Sequence, residues 1–146
     1  MDKLTTIKAA ITAGVTALTG LWGRTGWLAA LWIAAMLLDY ATGTAAAVKT
    51  GTWSSRTARE GLWHKTGSIV AVLVSALLDL AAHTLLAGTA DYNVLLFPLV
   101  TAWYLLTELG SIVENAGKLG APMPAFLKKT VAALRERVDS RGEDAP

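Results

Sequence analysis

The chain has 146 residues, 53% of them hydrophobic and only 16% charged, with 13 basic residues against 11 acidic ones. That length holds one domain or one small helical bundle, and a net charge of +2 says less by its size than by where the charges fall. The absence of cysteine excludes disulfides, thiolate zinc sites and cysteine nucleophiles, and no nucleotide loop, serine elbow or zinc-binding helix motif is present, so neither an enzyme nor a cofactor or metal site is expected.

Residues 1–26 form the first unit. Leu4, Ile7, Ile11, Leu18 and Leu21 fall along one helical stripe, and Thr5, Thr12, Thr16 and Thr19 dilute the remainder. This is the pattern of an amphipathic helix lying on a membrane surface, with a short additional span as the alternative. Lys3 and Lys8 precede the stretch, but no convincing small-x-small cleavage site follows before Trp22 and Arg24, so a cleaved signal peptide is not expected. Gly23, Arg24, Thr25 and Gly26 then make a turn, with Trp22 and Trp27 at interface depth.

Residues 27–113 contain three apolar stretches, 27–48, 67–88 and about 93–113. Each has about 20 residues, or about 30 Å of helix, enough to cross a hydrocarbon core. Only helices satisfy their own backbone in lipid without closing into a barrel. A soluble bundle needs a charged face on every helix, and residues 28–38 and 69–78 carry no charge. The fold class predicted is all-α: an integral membrane protein with three or four transmembrane helices, an N-terminal amphipathic helix and a C-terminal cytoplasmic amphipathic helix.

The connection 49–66 reads as a basic loop, with Lys49, Arg56, Arg59 and Lys65 against Glu60, and Trp53 and Trp63 as interfacial anchors. The connection 89–92 has Asp91 and no basic residue. Residues 114–146 form a basic tail with Lys118, Lys128, Lys129, Arg135, Arg137 and Arg141. The positive-inside rule places the first connection and the tail in the cytoplasm and the Asp91 turn outside. Three spans put the N-terminus outside; a fourth puts it inside, with Lys3 and Lys8. Within the tail, Pro122 and Pro124 break the chain, and a helix begins near Ala125. Its Leu127, Val131, Leu134 and Val138 follow helical spacing among basic residues, suiting either an anionic inner leaflet or packing within an oligomer. Residues 140–146 are polar and expected to be disordered.

Three acids, Asp39, Asp79 and Glu108, lie inside the apolar stretches. A charged side chain at mid-bilayer costs about 2.5–3.5 kcal/mol, so all three facing lipid would cost about 8–10 kcal/mol. Protonation, contact with other helices or a water-filled path avoids that cost. The neighbouring residues favour contact. Gly67, Ala71, Ser75, Asp79 and His83 recur every four residues, and Asp79 and His83 can hydrogen-bond at i,i+4. Ala35, Asp39, Gly43 and Ala47 repeat that spacing beside Thr42, and Thr101, Tyr104, Glu108, Ser111 and Asn115 share a third face. Small and polar faces favour helix association in lipid. They are read as an assembly face: polar glue between helices, a path for water, ions or larger cargo, or a proton relay through Asp79 and His83. Oligomerisation is the simple way to hide all three acids. The two histidines, His64 and His83, are too far apart in sequence to suggest a metal site.

Two segments stand out as motifs. One is Leu38, Asp39, Tyr40, Ala41, Thr42 and Gly43, followed by Lys49, Thr50, Gly51, Ser54, Ser55, Gly61 and Lys65. The other runs from Glu108 through Glu114, Asn115 and Ala116 to Leu119, Gly120, Ala121, Pro122, Met123 and Pro124. Both resemble a known family, the small toxin-secretion and phage-lysis holins, and Leu78 and Asp79 sit where that family has a leucine-aspartate pair. The likeness covers about 32–129; Gly110 replaces a larger apolar residue, and the N-terminal stretch matches nothing firmly. The resemblance implies a homo-oligomer in the inner membrane of an infected bacterium. Its lesions would depolarise the cell and release a cell-wall hydrolase, an endolysin, or export a toxin. A small ion or proton channel and a non-conducting antiholin-type regulator are the alternatives. The partners implied are the chain itself, the lipid bilayer and the hydrolase, with no nucleic acid.

Overall fold

The computed structural model describes residues 3–86 and 96–144, and leaves aside the side chains of Val15, Leu18, Leu21 and Arg24. The Asp91 turn and the first residues of the third apolar stretch lie outside the described residues. Every regular element described is helical: α1 (Lys3–Trp22), a 3-10 turn (Gly23–Gly26), α2 (Trp27–Lys49), α3 (Ser55–Leu85), α4 (Leu96–Lys118) and α5 (Ala125–Glu143). Of these, α2, α3 and α4 are long and apolar enough to span a membrane. The chain is an all-α membrane protein.

The helix ends follow from local chemistry. Helix α2 stops in a Schellman motif: Gly51 takes φ +70°, Gly51 N–H reaches Val48 O at 3.2 Å, and Thr52 N–H reaches Ala47 O at 2.9 Å. The same device ends α4, with Gly120 at φ +96° and Ala121 N–H on Ala116 O at 3.0 Å, before the two prolines. Lys49 crosses to this second end and donates to Leu119 O at 2.5 Å, a cation at a helix C-terminus. Lys49 thus joins α2 to α4 rather than standing free in a basic loop.

That loop is shorter than the charge pattern predicts. Only residues 50–54 separate α2 from α3. The Ser54 hydroxyl caps α3 by accepting Thr57 N–H at 3.1 Å, and Arg56 pairs with Glu60 one turn on at 3.0 Å. Polar residues do not end a helix; they only mark where it leaves hydrocarbon. Helix α3, with 31 residues, is about 46 Å long at 1.5 Å per residue. Likewise α4 continues past 113 to Lys118, and α5 extends through Arg141 to Glu143, where order gives way in the sequence reading at 140.

Helix α4 is central, packed on α2, α3 and α5. The apolar core is small: Ala29, Trp32, Val72 and Phe97, with Trp22, Met36 and Tyr104 among the half-buried residues against it. The buried set also includes Ser68, Ser75, Asp79, Thr101 and Glu108. Outside, Leu37 is 69% exposed and Leu77 63%, beside Ile33, Leu73 and Val74. A soluble bundle has the opposite distribution. Acids within and leucines without mark a chain whose solvent is lipid.

Candidate polar site within the membrane helices

Two polar clusters lie at different depths. At the first, Lys65 of α3 is held between two acids. Its ammonium donates to Asp39 Oδ2 of α2 at 2.9 Å and to Glu108 Oε2 of α4 at 2.5 Å, with no more than 17% of any of the three side chains exposed. Asn115 donates from Nδ2 to Asp39 Oδ1 at 3.1 Å and to Thr42 Oγ1 at 3.5 Å. Thr42 in turn donates to Leu38 O at 2.9 Å. Gly43 admits Asn115: a Cβ there would lie 3.3 Å from the amide nitrogen. One cation between two anions satisfies both partly buried carboxylates, which neither could manage alone in lipid. An open groove of about 800 Å³ borders the cluster, lined by Lys65, Glu108, His64, Tyr104, Thr107 and Ser111 among others.

The second cluster is a helix cap. Asp79, 3% exposed, accepts Leu96 N–H on Oδ1 at 2.8 Å and Phe97 N–H on Oδ2 at 2.9 Å. These are the first two residues of α4, and Pro98 brings no third donor. The carboxylate therefore sits on the positive end of the α4 dipole. Trp22 adds a third bond from Nε1 at 3.1 Å and packs its ring 4.3 Å from Phe97. Between the clusters, Trp32 Nε1 and the Thr101 hydroxyl are buried with no hydrogen-bond partner among the described residues.

The structure brings together Asp39, Thr42, Gly43, Glu108 and Asn115, and sets Tyr104 and Thr101 deeper on the same face of α4. Ser75 and Asp79 are buried, but His83 is exposed, and the bonds of Asp79 described above lead to α4 and Trp22. The reason is geometric. A strict spacing of four drifts about 40° per step on a helix of 3.6 residues per turn, so the ridge from Gly67 to His83 cannot keep one face. The buried stripe of α3 is Ser68, Val72, Ser75 and Asp79. Extended back one turn, it arrives at Lys65. That signal was present in the sequence, but the hydropathy pattern assigns Lys65 to the loop. Arg56 and Arg59 are exposed on the first turns of α3, and Lys128 and Lys129 are exposed on α5.

One further contact has no counterpart in the sequence reading: α5 folds back along α4. Trp103 Nε1 donates to Asp139 Oδ1 at 2.6 Å, and the Arg135 guanidinium lies 4.7 Å from the Trp103 ring centroid. Among the described residues no three His, Cys, Asp or Glu side chains are grouped to hold a metal ion.

Comparison with known proteins agrees with this picture of a lipid-facing helical protein. The chain is 32% identical over 135 residues to an uncharacterized protein of Halalkalibacterium halodurans, covering 92% of this chain and 96% of that one. No solved structure matches. The model of the bacteriophage holin family matches residues 16–136, from the end of α1 through most of α5 and across both polar clusters. A non-enzymatic membrane protein, the chain belongs to the bacteriophage holin family.

Proposed function

We propose that this protein is a pore-forming holin. It accumulates in the cytoplasmic membrane of a host bacterium with the 50–54 connection and α5 on the cytoplasmic side, assembles with further copies of itself, and opens lesions. These depolarise the cell and release an endolysin, or export a toxin. Family membership supports the class, and the Lys65 cluster supports the mechanism. In the single chain Asp39, Lys65 and Glu108 satisfy one another, so the surface offered to lipid is apolar and the membrane stays sealed. Ion pairs of this kind need not stay closed. When several copies crowd together, their α2, α3 and α4 faces can turn toward shared water, where each charge is hydrated and the pairing is no longer needed. The groove beside Lys65 and Glu108 is where water would first reach them. A threshold in chain density then gives a sudden, cooperative opening.

Inducible expression in bacteria, with and without a co-expressed cytoplasmic muralytic enzyme, tests this reading. Abrupt clearing of the culture that depends on the enzyme is expected. Depolarisation without enzyme release would instead mark a narrow ion channel, and an intact membrane potential would mark a non-conducting antiholin-type regulator.

A further inference from the structure

Helix α5 is docked where a bilayer does not favour it. Its contacts run from Gly110, where a Cβ would lie 3.9 Å from Val131 Cγ1, to Trp103, which holds Arg135 and Asp139. Trp103 lies roughly 22 Å along the α4 axis from Lys118 at 1.5 Å per residue. When α4 spans a membrane, the docked helix carries Arg135, Arg137, Asp139 and Arg141 to the depth of the hydrocarbon, where ions are disfavoured.

The docking also uses the pattern of α5 only in part. Its apolar stripe is Leu127, Val131, Leu134 and Val138. Of these only Val131 and Val138 are half-buried, while Arg135 and Asp139, which reach Trp103 from roughly a quarter turn away, stay exposed. Leu134 is left 45% exposed and Leu127 37%. A flat apolar surface with anionic groups at its edge fits better. On it the whole stripe would be covered, Lys128 and Arg135 would flank one side, Arg137 and Arg141 the other, and Glu136 and Glu143 would face water. We propose that α5 has two seats, the face of α4 and an anionic lipid surface, and that it leaves the first for the second once α4 crosses a membrane containing anionic lipid.

Because the chain has no cysteine, the docked seat can be reported cleanly. The full-length Gly110→Cys, Val131→Cys variant would be oxidised in dodecyl maltoside, in phosphatidylcholine vesicles and in 3:1 phosphatidylcholine:phosphatidylglycerol vesicles. Disulfide yield should be high in detergent and at least fivefold lower in anionic than in neutral vesicles. High salt, or Arg137→Gln with Arg141→Gln, should restore it. A second variant leaves α4 untouched: Leu134→Cys carrying an environment-sensitive dye should brighten at least threefold in anionic vesicles relative to neutral ones. Equal disulfide yields in the two vesicles, or a dye signal that does not distinguish them, overturns the two-seat assignment. Release of α5 requires that α4 span a bilayer containing anionic lipid and does not require lesions to form, so that outcome would leave the proposed lytic function standing.

Discussion

The two polar clusters treat a carboxylate within the membrane helices in opposite ways. Asp79 is bonded to backbone, two N–H groups at the start of α4, and to the Trp22 indole. Backbone donors at a helix start cannot move away without unwinding the helix, so this acid is structural. Asp39 and Glu108 are bonded to one long, flexible side chain reaching from a third helix. Lys65 can follow either acid, or neither, if water arrives. One cluster is a joint; the other is a latch. The charge of a buried acid says little about its role, whereas the rigidity of its partner says much.

Substitutions can break or sharpen that contrast. Lys65→Met should have the largest effect, because it leaves two carboxylates with no cation between them. Loss of about 3–5 kcal/mol is expected, read as a lower midpoint in dodecyl sulfate titration of the detergent-solubilised protein and, in cells, as lysis at a lower protein level. Adding Asp39→Asn and Glu108→Gln to Lys65→Met should return most of that stability, since removing a whole buried ion cluster is close to neutral. Asp79→Ala should follow, at about 2–3 kcal/mol for orphaned buried donors. In contrast to Lys65→Met, it should lower the amount of chain in the membrane without advancing lysis at matched levels. Immunoblots paired with culture turbidity separate the two outcomes; if Asp79→Ala triggers early while accumulating normally, the joint and the latch are not distinct. Gly43→Ala should cost about 1 kcal/mol by pushing Asn115 off Asp39. Arg56→Gln breaks a pair that is exposed on both sides and should shift the midpoint by no more than about 0.5 kcal/mol.

Much of the scaffold was legible because hydropathy and chain breakers act locally. The three membrane-length apolar helices, and the break at Pro122 and Pro124, follow from runs of residues that need no tertiary partner. The face of α4 was also readable, because Thr101, Tyr104, Glu108, Ser111 and Asn115 alternate spacings of three and four and so stay aligned with the helix. The face of α3 was not, because a regular spacing of four imitates a ridge while winding around the helix. Lys65 was hidden by its charge: a lysine ahead of an apolar run reads as an interfacial anchor until a third helix supplies its acids. The link from Asp79 to Leu96 joins two different helices, and no local pattern announces which helix start an acid will cap. Helix α5 was visible as a helix, but its seat on Trp103 depends on packing that composition does not encode.

The claim on which the rest depends is that Lys65 satisfies the acids inside a single, unassembled chain. A double-mutant cycle of Lys65→Met and Glu108→Gln, read by dodecyl sulfate titration of monomeric protein in detergent, measures it directly. The predicted result is a double variant more stable than Lys65→Met alone, with a coupling of about 1.5 kcal/mol or more. Strictly additive losses would contradict it, because the two side chains would then not be partners before assembly.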